Sequence, residues 1–169
     1  MEISPKLLVI AIATLLTGLS AGLCFTWTNS VTTGLARLTD VGYLEAFQQM
    51  NRSILNPLFF LVFFGPVLAI LTSAIQHRTY PDQILWMLII AFAIYFVGVG
   101  LVTIFGNVPI NEVLDKTDLS SISEVDARSL RAQFENKWIK LHLIRTYASS
   151  ISFLLLILVC LWRGASVNI

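Results

Sequence analysis

Four stretches of about twenty apolar residues decide what this chain can fold into. They run from about Leu7 to Trp27, Pro57 to Ile75, Ile84 to Phe105 and Leu143 to Trp162, and only Arg145, at the edge of the last, interrupts them with a charge. Segments of this kind span the hydrocarbon core of a bilayer, where every backbone N–H and C=O must find its partner inside the protein. None alternates apolar and polar residues as a barrel strand does, which leaves helices. The expected fold class is all-α: a four-helix transmembrane bundle with amphipathic helices in the two long connections.

The rest of the composition agrees. Of the 169 residues 56% are hydrophobic and 12% charged, where a soluble domain carries about 25% charged residues. A net charge of +1 without a Lys/Arg cluster gives nucleic acid nothing to bind. The expected partners are the lipid bilayer, a small aromatic or quinone-like ligand, and a homo-oligomer or membrane complex. No linker divides the chain, so residues 1–169 are read as one domain. Cys24 and Cys160 lie late in the first and fourth spans, hence on opposite membrane faces, and no disulfide is expected. Neither cysteine has a metal-ligand spacing, and no metal site is expected. Lys6 and the apolar run after it resemble a signal peptide, but the run is long enough to span and no small-residue cleavage site follows. Leu23 is too large to precede a lipidated cysteine. The first span is therefore read as an uncleaved helix of a multi-pass protein in the bacterial inner (cell) membrane.

Four spans put the two termini and the turn from Gln76 to Gln83 on one side. The connections Thr28 to Asn56 and Gly106 to His142 share the other. Lys6, Arg78 and Arg163 stand on the terminal side, against Arg37, Arg52, Lys116, Arg128, Arg131, Lys137 and Lys140 on the loop side. The positive-inside rule then favours cytoplasmic loops. Trp27, Trp86, Trp138, Tyr147 and Trp162 lie near span ends, as interface anchors do. Gly18 and Gly22 give the first span a small-residue face for a neighbouring helix.

In the first connection, Thr39 or Asp40 caps a helix running to Leu55, with Val41, Leu44, Phe47, Met50, Ile54 and Leu55 on one arc and Glu45, Gln49, Arg52 and Asn56 opposite. Such a helix lies on the bilayer or on the bundle. Asn51 falls inside the apolar arc, where its amide needs a partner on another helix or on a bound molecule. After the third span, the run from Gly106 to Glu112 reads as a helix break at the membrane surface, with Pro109 opening a new helix. Asn107, Asn111 and Glu112 either punctuate that break or line a site. In the second connection, Ser123 and Asp126 form a capping arrangement, and a helix runs without Gly or Pro from Glu124 into the fourth span. Along it Phe134, Trp138, His142, Arg145 and Ser149 make one stripe. His77, beside Arg78 in a short turn, is read as solvated.

Three blocks now stand in order: Phe47 to Pro57 (FQQMNRSILNP), Asn107 to Asn111 (NVPIN), and Trp138, His142, Arg145 and Thr146. In order and spacing they resemble the anthrone oxygenase-like family of small integral membrane proteins. The resemblance implies a four-helix membrane bundle, and, for members acting in polyketide pathways, oxidation of anthrones to anthraquinones with dioxygen and no recognised cofactor.

That chemistry needs a base, donors for a phenolate-like oxygen and an apolar pocket. His142 is the candidate base, with Arg145 beside it as the other catalytic candidate. Asn51, Arg52, Asn56, Asn107, Asn111 and Trp138 are the substrate-binding candidates. The competing reading of the same residues is hydrogen bonding that locks the helices together, with Arg145 snorkelling to the headgroups. No Walker A, GxSxG, GxGxxG, HExxH or CxxCH motif offers another chemistry. The alternative function is a non-catalytic accessory subunit or small-molecule binder. Carriers need polar groups at mid-membrane depth, whereas these span centres are read as apolar.

Overall fold

The computed structural model describes residues 4–79 and 83–166, the last four by backbone alone. Tyr80, Pro81 and Asp82 in the expected turn, and the side chain of Arg163, lie outside the described residues. The fold of the described residues is all-α: α1 (Pro5–Leu35), α2 (Asp40–Ile54), α3 (Pro57–His77), α4 (Gln83–Asp115) and α5 (Glu124–Ser166). Four of these are long and apolar enough to cross a membrane, and the protein is an integral multi-pass membrane protein. In cyclic order α1 packs on α3, α3 on α4, α4 on α5 and α5 on α1. Leu7, Leu15, Leu58, Leu68, Phe105 and Leu154 are among the exposed residues that sheathe this bundle.

The helices are longer than the apolar runs that announce them. At 1.5 Å per residue, the 31 residues of α1 extend about 46 Å, well past a core of about 30 Å. The surplus of α1, α4 and α5 projects on the loop side and builds a second, smaller core with α2. Tyr43, Leu44 and Phe47 of α2 are fully buried there against Phe134 and Trp138, with Phe47 centroids 4.9 Å from both rings. Burial pushes the Tyr43 phenol above its ordinary pKa, so it stays protonated. Thr39 caps α2 by accepting from Gly42 N–H at 3.2 Å, and Ser123 Oγ caps α5 by accepting from Asp126 N–H at 3.1 Å.

The buried face of α2 is rotated from the expected arc. Gln48 is buried and Leu55 is 65% exposed. The reason is tertiary: Gln48 Nε2 donates to the carbonyls of Leu114 (2.7 Å) and Thr117 (3.0 Å), at and just past the C-terminal end of α4. Arg131 does the same for α1, donating to the carbonyls of Ala36 and Leu38 at 3.0 Å each. The amphipathic helix therefore lies on the bundle.

Three further expectations change. The break at Gly106–Pro109 is absent: α4 passes through in helical geometry, with Asn107 at φ −73°, ψ −40°. Two π turns, Phe96–Leu101 and Thr103–Asn107, account for this. In the second, Val108 N–H bonds the Thr103 carbonyl five residues back, and the wider turn relieves the carbonyl that Pro109 would otherwise strike. His77 is buried rather than solvated, because it sits one turn after Ser73 on the inner face of α3, with Nδ1 2.8 Å from the Ser73 carbonyl. The bundle interior is also less apolar than expected, holding Thr17, Ser20, Ser73, Tyr95, Ser149 and Ser152. Most of their hydroxyls are absorbed by backbone, as where Ser152 donates to the Ala91 carbonyl at 2.8 Å and Tyr95 reaches the Phe63 carbonyl at 2.8 Å, while Ser20 Oγ lies 2.6 Å from the Tyr95 hydroxyl. Gly18 admits Phe153, whose ring would lie 2.7 Å from an added Cβ, whereas Gly22 has open space.

Candidate functional site

Where the bundle meets the loop-side core, α1, α2, α3, α4 and α5 enclose a cavity of about 240 Å³. That is somewhat below the usual range for a ligand pocket, which begins at about 300 Å³. Its walls include Leu23 and Trp27 of α1, Phe59 and Phe63 of α3, and Thr103 of α4. The π turns of α1 and α4 fall here: Trp27 opens one and Asn107 closes another, so both side chains come from locally widened helix.

The cavity gathers most of the sequence candidates. Asn51 and Arg52 reach it from α2, Asn107 and Asn111 from α4, and Trp138, His142 and Arg145 from α5. Asn56 stands outside. It is exposed, accepts from Phe59 N–H at 3.0 Å and donates to the Ser53 carbonyl at 3.1 Å, and so caps α3.

Five of the lining side chains hold buried polar atoms with no hydrogen-bond partner among the described residues: Asn51 Nδ2, both amide atoms of Asn107, Asn111 Oδ1, Trp138 Nε1 and Arg145 Nε. Buried polar groups are normally paired, because each one left unpaired costs about 1–3 kcal/mol. That so many converge on one cavity distinguishes it from a packing defect.

Arg145 is the strongest case. It is 8% exposed and forms no ion pair with a carboxylate among the described residues, so it does not snorkel. Its Cζ lies 5.3 Å from the Trp138 centroid and 5.9 Å from the Phe63 centroid. One side, Nη2, donates to His142 Nδ1 at 2.9 Å. His142 Nε2 in turn lies 3.1 Å from the Cys24 carbonyl, and its ring stacks on Trp138 at 4.7 Å and 16°. At the cavity edge Arg52 Nε pairs with Asp115 Oδ1 at 2.6 Å, both half-exposed. No cluster of three or more His, Cys, Asp or Glu side chains comes together among the described residues.

A family model described as anthrone oxygenase matches residues 56–155, more than half of the chain. The chain belongs to the anthrone oxygenase family. The matched stretch carries Asn107, Asn111, Trp138, His142 and Arg145, while Asn51 and Arg52 precede it. No curated protein and no solved structure matches the chain.

Sequence reasoning missed Trp27, Phe59, Phe63 and Thr103 as walls of the cavity. Trp27 looked like an interface anchor, and the two phenylalanines were lost among the apolar residues of a span. Thr103, Asn107 and Asn111 repeat every four residues, and that spacing was the available signal.

Proposed function

We propose that the cavity binds a small aromatic molecule through an ionised oxygen, and that this family member oxidises such a molecule with dioxygen. The observation that carries the reading is Arg145, a cavity-lining buried cation with no carboxylate partner and an unpaired Nε–H among the described residues. An unpaired buried charge is costly, and a ligand oxyanion relieves it with a charge-assisted hydrogen bond. Trp138 Nε1 supplies a second donor nearby, and the amides of Asn51, Asn107 and Asn111 suit further ring oxygens. Trp27, Phe59 and Phe63 offer faces to the aromatic body.

For an anthrone the balance is simple. The ring methylene gives up two hydrogens and takes one oxygen atom from dioxygen as a carbonyl, and the other oxygen atom leaves with those hydrogens as water. The electron-rich species is the anion left by loss of the first proton. A fixed cation at the oxygen favours that anion, so Arg145 acts on the step that prepares the molecule to reduce dioxygen.

The test is purified protein in lipid nanodiscs with an anthrone or a hydroquinone, following oxygen uptake and product absorbance. Wild type should turn over and Arg145→Lys should be markedly slower, because an ammonium replaces a planar fork able to serve His142 and a ligand at once. Binding without turnover would favour the non-catalytic binder. Absence of both across a panel of phenols, anthrones and hydroquinones would favour the accessory subunit.

A further inference from the structure

Resting on the anion-binding reading above, we infer that His142 is a positioning residue that sets the guanidinium of Arg145, and that it does not take the substrate's proton. The argument is hydrogen-bond direction. A carbonyl only accepts, so Nε2, 3.1 Å from the Cys24 carbonyl, carries the ring proton. A guanidinium only donates, so Nδ1, 2.9 Å from Arg145 Nη2, holds the lone pair. The neutral imidazole therefore has its one basic nitrogen occupied by Arg145 and its one proton committed to α1. Neither is free for a molecule in the cavity.

The surroundings hold the ring in this state. His142 stacks on Trp138 at 4.7 Å, and Trp27 lies on it at 6.4 Å. The Cys24 carbonyl stands just before the π turn Trp27–Val31 and also accepts from Thr28 Oγ1 at 3.2 Å. Thr146 Oγ1, one turn beyond His142, donates to the His142 carbonyl at 3.0 Å, sits 3.0 Å from Thr28 Oγ1, and at 3.5 Å from Nε2 is placed to accept the same ring proton. The chain of contacts runs from α1 backbone through the imidazole to one edge of Arg145, and leaves Nε of this cavity-lining residue without a partner among the described residues. Its effect is to fix the rotation of the guanidinium. A planar donor held this way meets an oxyanion without first losing side-chain freedom.

Two variants separate positioning from proton transfer. In His142→Gln the amide oxygen can accept from Arg145 while the amide N–H donates to Cys24, so both bonds have a substitute. His142→Phe keeps the ring stack and removes both. The measurements are binding of 4-nitrophenolate in nanodiscs, from its absorbance shift, and the pH dependence of anthrone oxidation. Positioning requires probe affinity within about threefold of wild type for Gln, and about tenfold or more weaker for Phe with KM rising in parallel. It also requires the pH–rate profile of the Gln variant to keep the wild-type shape. Loss of kcat in Gln equal to that in Phe, with probe binding intact in both, would mark His142 as the proton acceptor and overturn the inference. If the Phe variant does not fold, the Gln variant decides alone: retained kcat and profile support positioning, and loss of kcat with retained binding refutes it. Failure of wild type to bind the probe would overturn the anion-site reading itself.

Discussion

Replacing Asn107 by leucine should make the protein more stable while abolishing its ligand binding. Asn107 is 1% exposed, and both atoms of its amide lack a partner among the described residues. Leaving such an amide unsatisfied costs about 1–3 kcal/mol, which an apolar side chain of similar size does not incur. Leucine also has the better helix propensity by a few tenths of a kcal/mol, and its branched side chain has the same heavy-atom skeleton as the amide, so it needs little extra room. The expected gain is therefore about 1–3 kcal/mol. Ser152→Ala is the control of opposite sign. Its hydroxyl is satisfied by the Ala91 carbonyl at 2.8 Å, and removing it should cost about 0.5–1.5 kcal/mol. Both are measured by reversible unfolding in mixed SDS and dodecylmaltoside micelles, with phenolate binding assayed in parallel. If Asn107→Leu were less stable than wild type by more than about 1 kcal/mol, the amide would have a structural partner in the membrane and the convergence of unpaired atoms would lose its functional meaning.

Two further outcomes test the fold. Gly98→Ala should destabilise the bundle by about 1–3 kcal/mol in the same assay, since its Cβ would run into that of Ala148 on α5. Gly22→Ala should be neutral or stabilising by up to about 1 kcal/mol, having open space and better helix propensity, and equal losses in both would refute the α4–α5 contact. With Cys24 and Cys160 replaced, single cysteines at Ser30 and Ser121 should react with an impermeant maleimide from one side and a cysteine at Ser4 from the other. Labelling of all three from one side would refute the four-span arrangement.

How much of the site was legible depended on whether a residue's meaning is local. Arg145 and His142 could be paired from spacing alone, because residues three apart on a helix share a face. The continuous α5 was readable for a similar reason: no Gly or Pro falls between Glu124 and the end of the fourth span at Trp162, and Ser123 caps it. Asn56 was misplaced because an Asn before Pro reads equally as a cap or as a ligand contact, and only its bonds to Phe59 and Ser53 separate the two. The π turn before Pro109 was invisible, since a proline after Gly and Asn more often follows the end of a helix than interrupts one. His77 looked solvated because turn residues usually are, yet the inner face of α3 still holds it one turn past Ser73.

The sequence by itself determined four spans, their alternating directions and a group of candidate site residues at one end. Hydrocarbon permits few solutions for a backbone with unpaired groups, so apolar length alone is decisive there. Tertiary structure decided which polar atoms end up paired. Gln48 and Arg131 spend their donors on helix ends, whereas the cavity-lining Arg145, Asn107 and Asn111 keep polar atoms without a partner among the described residues. Hydrogen-bond satisfaction is a property of whole surroundings brought together from five helices, and no spacing along one helix encodes it.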